Sequence, residues 1–223
     1  MTALIKLTWQ RDAAGYDLLP EEEGAEDPAA YGGTLLLVGW KPQRIVPRGG
    51  TIICYEPMKL DSLCLSFASV RTPDDLLEFI QKYGPLTESG LDATRGEDVE
   101  LRLDDAAVFR SWLEGGNTEA RLAVWAGAEG KHIGRVEVFV VQDPDSGTAK
   151  MQYRTRTLRA ALWLQLLQKL THGRPFHDCL YCGKWFETGP GTGRRADAKF
   201  CSEEHQVWFN RRKQSSKGGV AHA

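Results

Sequence analysis

The strongest constraint on this 223-residue chain is a spacing of metal-ligand residues in its last fifty positions. Cys179 and Cys182 are separated by two residues; eighteen residues then intervene before Cys201, and three more before His205. A C-x2-C-G turn points two thiolates at one point and lets backbone amides hydrogen-bond to the sulfurs. Cys201-x3-His205 places a second pair one helical turn apart on one face. Three thiolates and one imidazole complete a tetrahedron without an open position, which points to one structural Zn2+. Ser202 followed by Glu203 and Glu204 reads as a helix start. Trp185, Phe186 and Phe200 flank the ligands and offer the small core that such a module otherwise lacks. Rubredoxin-like iron fits less well, because it favours all-sulfur ligation. A redox dithiol at Cys179-x-x-Cys182 and a chance grouping of buried cysteines are the competing readings. His177 lies close in sequence, but its two-residue offset from Cys179 suits ligation poorly.

Charge divides the chain unevenly. Residues 174–223 carry nine Lys/Arg against five Asp/Glu; the totals of 28 and 30 leave 19 against 25 for residues 1–173. An acidic body therefore precedes a mildly basic tail, an asymmetry compatible with a nucleic-acid-facing end. Hydrophobic residues at 42% and charged residues at 26% argue against wholesale disorder. MTALIKLTWQRDAAG has no apolar secretory core, and LRAALWLQLLQKL is too short and too polar to span a bilayer. The expectation is a cytoplasmic protein with no membrane association, whose cysteines are not disulfides. Cys54 and Cys64, in TIICY and LCLSF, are expected in the core.

The body, residues 1–172, reads as α+β. TALIKLTW, TLLLVGW, TIICY and LCLSFASV are expected strands, and the acidic LPEEEGAEDPAAYGG an exposed loop. Thr72-Pro73-Asp74-Asp75 opens a helix through DLLEFIQKY that stops at Gly84-Pro85. Further helices are expected over DDAAVFRSWLE and EARLAVWAGAE. GRVEVFVVQ and TAKMQYRT read as a hairpin. TLRAALWLQLLQKLTHG is the clearest helix, with Gln165, Gln168, Lys169 and His172 on its polar side and Gly173 as its stop. Residues 173–223 form the second expected domain, a zinc finger with a basic last helix.

Two charged segments accompany the ligands. GPGTGRRADAK joins a glycine-rich loop to Arg194, Arg195 and Lys199. It lacks the order of a nucleotide-hydrolase phosphate loop, and it reads either as a phosphate-wrapping loop or as a plain flexible connection. In SEEHQVWFNRRKQSSK, Trp208 and Phe209 stand beside Arg211, Arg212 and Lys213, a mixture suited to phosphate contact with base stacking. The same cations would also favour the C-terminal end of a helix dipole.

The tail resembles the bacterial CGNR-type and FCS-type zinc fingers, treble-clef-like modules in which a C-x2-C knuckle and aromatic strand precede an Arg-rich loop, then (W/F)CS and a last ligand in a basic helix. Cys179, Cys182, Phe186, Arg194-Arg195, Phe200-Cys201-Ser202 and Asn210-Arg211-Arg212-Lys213 carry the resemblance, which covers about residues 177–214. His205 stands where that family usually has cysteine, and the CGNR tetrad is absent. SLCLSFASVRTPDDLLEFI is similar to the segment preceding the finger in the CGNR group. The resemblance implies zinc and transcription-related work. The expected function is a non-enzymatic nucleic-acid-binding regulator that contacts DNA or RNA through Arg194, Arg195, Lys199, Arg211, Arg212 and Lys213, its acidic body sensing a ligand or protein partner. The alternative is a zinc module that staples the fold or docks a protein, without nucleic acid. An HNH-type nuclease is disfavoured, because its His, Asp and Asn residues do not occur in order.

Overall fold

A computed structural model describes residues 4–20, 22–23, 40–41, 43–60, 62–115, 136–142, 147, 149–171 and 173–217. The fold is α+β. Its strands are β1 Leu4–Lys6, β2 Trp9–Asp12, β3 Tyr16–Leu19, β4 Glu22–Glu23, β5 Trp40–Lys41, β6 Arg44–Pro47, β7 Ile52–Tyr55, β8 Glu97–Asp98, β9 Val136–Gln142, β10 Ala149–Thr155, β11 Phe176–Asp178 and β12 Trp185–Glu187. Its α-helices are α1 Leu63–Ala68, α2 Pro73–Tyr83, α3 Val99–Leu113, α4 Leu158–Thr171 and α5 Glu203–Lys217. The expected β9–β10 hairpin forms in register from Val136↔Thr155 to Gln142↔Ala149, and β1 joins β10 in parallel. Small antiparallel sheets β2–β7, β3–β6–β8 and β4–β5 make up the rest of the strand pairing among the described residues of the body.

The core lies among the helices. Leu158, Ala161, Leu162, Trp163 and Leu166 of α4 are buried. Aromatic contacts bind α4 to its neighbours: Phe109 of α3 lies 4.3 Å from Trp163 between ring centroids and 5.2 Å, edge-on, from Phe67 of α1. Phe67 in turn meets Phe79 of α2 at 5.3 Å. The α2 start follows the sequence expectation, with a full capping box: Thr72 Oγ1 accepts from the Asp75 amide while the Asp75 carboxylate accepts from the Thr72 amide.

Three expectations are corrected. LCLSFA is helix α1, not strand. A short apolar run has no diagnostic period, and this one lacks the β-branched residues that would favour a strand. α1 is buried on several sides, so it shows no polar stripe either. Helix α3 starts at Val99, five residues before the expected run, because Asp98 caps it by accepting from the Leu101 amide at 3.0 Å. Gln165, placed on a polar face from the sequence, is buried. Its Oε1 accepts from the Cys64 amide at 2.7 Å and its Nε2 donates to the Leu60 carbonyl at 2.9 Å, so α4 caps the start of α1. The strand expected over TLLLVGW falls outside the described residues except for Trp40, and the helix over EARLAVWAGAE and His172 lie wholly outside them.

A buried ionic network crosses the same core. Arg159 of α4 holds Asp105 of α3 through two guanidinium nitrogens, one at 2.7 Å, and Arg102 reaches the same carboxylate at 2.7 Å and Glu97 at 3.2 Å. Glu97 also accepts from the Leu86 and Thr87 amides at 2.8 and 2.9 Å. Two acids face two guanidiniums, so the buried charges balance. Removing one partner strands the others.

The β11–β12 hairpin rests on this body. Trp185 is buried within the main hydrophobic cluster, and its amide donates to Ser69 Oγ at 3.0 Å. Glu187 pairs with Lys169 of α4 and, at 3.1 Å, with Arg174. Burial opposes ionisation of Glu187, but Lys169 and then Arg174 outweigh it and hold its carboxyl below the ordinary range.

Arg159→Ala is expected to cost about 3–5 kcal/mol, the usual penalty for orphaning a buried charge, read as a lower urea midpoint at unchanged slope. A chain ending at Gly173 retains α1–α4 and is expected to melt cooperatively. Loss of Trp185 should lower its stability by about 3–5 kcal/mol. Calorimetry of the truncated and full chains measures this, and a broad, non-cooperative transition would show that the body needs the hairpin to fold.

Candidate metal centre

Strand β11 runs into the knuckle, and backbone bonding shapes the turn. The Cys179 amide donates to the Lys184 carbonyl at 3.0 Å and the Gly183 amide to the Cys179 carbonyl at 2.7 Å. Gly183 adopts φ 67°, a left-handed conformation that L side chains rarely take. The Leu180 amide reaches the Lys199 carbonyl at 3.1 Å, stitching the knuckle to the chain just before Cys201. Helix α5 then begins as expected, with Ser202 Oγ accepting from the His205 amide at 3.3 Å and Glu203 and Glu204 in the first turn. Capping fixes the step from Cys201 to His205, so two elements deliver two ligands each.

The four ligand atoms lie within 4.8 Å of one another, in a group able to hold a metal ion. His205 Nδ1 is 3.6 Å from Cys179 Sγ and 3.0 Å from Cys201 Sγ; Cys182 Sγ and Cys201 Sγ are 3.8 Å apart. A tetrahedral ion with metal–sulfur bonds of about 2.3 Å and metal–nitrogen bonds of about 2.0–2.1 Å has edges of roughly 3.8 and 3.6 Å. Two of the three separations match those edges, and the third needs a shift of about half an ångström.

The chain's own electrostatics favour a cation. Burial works against ionisation of Cys179, yet the amides of Cys182, Cys201 and Tyr181, with His205, overcome it and hold the thiol at about 6. Cys201 goes the other way. Burial and the neighbouring Cys179 and Cys182 sulfurs push it up to about 12. Three thiolates cannot share so small a space unless a positive charge stands between them, which a divalent ion supplies.

The loop between the two ligand pairs is more ordered than a plain flexible connection. Gly189 and Arg194 form a β-bridge, Thr192 Oγ1 donates to the Gly189 carbonyl at 2.7 Å, and buried Thr188 bonds the Pro175 and Ala196 carbonyls at 3.3 and 3.2 Å. Arg194 donates from Nε and Nη2 to the Cys201 carbonyl at 3.1 and 2.9 Å while lying over the Phe186 ring. It therefore ties the loop to the ligand that precedes α5. Arg195 pairs with Asp197 at the surface, and Lys199 is exposed. Arg211, Arg212 and Lys213 are exposed on α5. With a rise of about 1.5 Å per residue they stand roughly 15 Å beyond Cys201.

His177 is outside the ligand group; its Nε2 lies 3.0 Å from the Ala196 carbonyl. Cys64 is buried as expected, and burial pushes its thiol up to about 12. Cys54 is exposed, which corrects its placement in the core: among the described residues β7 pairs only with β2, and Ile52, Ile53 and Cys54 stay outside. Sequence reasoning passed over Leu180 and Tyr181. The spacing itself held the signal, because a knuckle that turns both cysteines inward must turn the two residues between them outward. The chain matches no protein-family model, no curated protein and no solved structure.

Purified protein is expected to carry one equivalent of metal per chain by elemental analysis. Cys179→Ser and His205→Ala should lower that content severalfold, whereas Cys54→Ser and Cys64→Ser should leave it unchanged. Full metal retention by Cys179→Ser would dismantle the assignment.

Proposed function

We propose that the centre holds one structural Zn2+ and that the chain is a nucleic-acid-binding regulator whose finger presents α5 to its target. The Cys3His set is sulfur-rich with one imidazole, a common zinc donor set, and four protein ligands leave no position for a reacting water. A structural role follows. The order of hairpin, loop and helix around the ligands is consistent with the treble-clef-like reading of the tail.

One observation carries the functional reading. From Glu203 to Gln214, α5 has no fully buried residue, only His205 and Phe209 being partly covered, and it displays Trp208 with Arg211, Arg212 and Lys213. A helix that buries so little gains little from packing, so its sequence is free to answer to a partner. Cations for phosphate and an aromatic face for a base are what nucleic acid asks of such a surface. Arg194, Arg195 and Lys199 add charge near the start of α5, with Arg194 turned to the Cys201 carbonyl and Arg195 sharing its charge with Asp197, and the acidic body would repel a polyanion elsewhere. In this reading the ion works as a fixed pivot that holds both groups on one rigid unit.

The second reading, a finger that staples the fold or docks a protein, draws support from Trp185 in the body's core and from the Lys169–Glu187 pair. The two readings share the staple and differ in what α5 meets.

Binding should be weak, roughly micromolar or poorer near physiological salt, and should fall steeply as salt rises. Changing Arg211, Arg212 and Lys213 together to Glu should abolish most affinity and reduce the log–log salt slope by about 2–3. Fluorescence anisotropy with duplex DNA, single-stranded DNA and RNA across a salt series measures both. Zinc-loaded protein that binds none of the three at low salt would overturn this reading in favour of the second.

A further inference from the structure

Between the knuckle and α5 lies an open groove lined by Leu180, Tyr181, Phe209, Arg212 and Lys213, with a volume of about 230 Å³. Its walls are largely apolar. Leu180 is 53% exposed, Tyr181 37% and neighbouring Trp208 42%, so a cluster of large apolar side chains meets water beside the metal ligands. The residues are held in place. Tyr181 lies 5.0 Å from the His205 ring and 5.6 Å from Trp208, and His205 and Trp208 are 5.5 Å apart. On the other side, Phe209 is backed by Phe200 at 5.2 Å. Since His205 is a ligand, the aromatic wall is anchored to the metal centre and pre-formed before any partner arrives.

We propose that this groove takes an unpaired base, making the partner a single-stranded nucleic acid rather than a duplex. The inference rests on the nucleic-acid reading above and narrows it. Three properties of the groove select the occupant. An apolar cavity of about 150 Å³ accommodates benzene, so this groove has room for one larger heteroaromatic ring. Its walls offer π-faces and an aliphatic side chain, a surface that stacks on any base but reads no base edge. Its rim carries Arg212 and Lys213, which give a cationic border matched to the phosphates on either side of a stacked base. In a duplex the π-faces are covered by neighbouring pairs, and the groove would have nothing to grip. An extended strand turns bases outward and meets both needs at once.

The closing experiment uses the full-length, zinc-loaded chain and three fluorescein-labelled probes of equal length: oligo-dT, an abasic strand with the same phosphates, and a blunt duplex. Oligo-dT is expected to bind at least tenfold tighter than the abasic strand and tighter than the duplex at equal salt, with quenching of tryptophan fluorescence. Tyr181→Ala should weaken oligo-dT by about tenfold, within the range seen when one stacking aromatic is removed, and leave the abasic strand unchanged. Tyr181→Phe should retain native affinity. Zinc content measured on each variant separates loss of stacking from loss of fold, because Tyr181 touches His205. Equal binding of all three probes, or a Tyr181→Ala loss shared equally by the abasic strand, would overturn the base-binding groove and leave phosphate contact standing. Absence of binding to every probe would overturn the nucleic-acid reading and this inference with it.

Discussion

Everything in the body converges on one helix that has to bury polar groups. α4 carries a wide apolar stripe, yet Arg159, Gln165 and Lys169 lie on faces that the surrounding elements cover. Each is matched to a different neighbour: Arg159 to Asp105 of α3, Gln165 to the two ends of the bend that opens α1, and Lys169 to Glu187 of β12. Hydrophobic packing alone would let α1, α3 and β12 slide along α4 at little cost. An unpaired buried charge or amide costs several times more than an imperfect apolar contact. The polar pairs therefore set the register, and the aromatic contacts among Phe67, Phe79, Phe109 and Trp163 supply the driving force.

The same helix connects the body to the candidate metal centre. A tail of this size has too little apolar surface to fold on its own hydrophobicity. It solves that problem twice. Phe186 and Cys179 are buried near the ligands, while Trp185, next in the strand, turns the other way into the body's core. Alternation along β12 makes this possible, since neighbouring side chains on a strand point to opposite faces. One residue serves the finger and the next serves the body, so the hairpin is shared between them.

How much of this was legible depended on whether the signal was local. The grouping of Cys179, Cys182, Cys201 and His205 was readable because cysteine and histidine have few reasons to recur at two and three residues' spacing. The α2 cap was readable because Thr72-Pro73-Asp74-Asp75 carries its partners within four positions. The β9–β10 hairpin showed period-two runs about a turn. Helix α1 was not legible, since a six-residue run buried on several sides has neither a helical stripe nor a strand alternation. Gln165 was misplaced for a related reason: its partners at Leu60 and Cys64 lie about a hundred residues away, and no local pattern marks a glutamine as another helix's cap. The groove beside the knuckle is also non-local, joining positions 180 and 181 to 209, 212 and 213 through the ligand geometry.

The helix dipole gives an alternative account of α5 that must be set against the functional one. Glu203 and Glu204 in its first turn and Arg211, Arg212 and Lys213 further along follow the order that favours the dipole, each end contact contributing about 0.3–1 kcal/mol at the surface. That account explains the order of the charges along the helix and nothing about their position around it. It makes no demand for Trp208 to be exposed, nor for Tyr181 of a separate element to pack beside it. Leaving Leu180, Tyr181 and Trp208 partly in water forgoes a share of the roughly 1.5–3 kcal/mol available from fully burying each large apolar side chain. The dipole therefore accounts for the order of the charges along α5 but not for its aromatic wall, which the proposed nucleic-acid partner, with both phosphates and exposed rings, would engage.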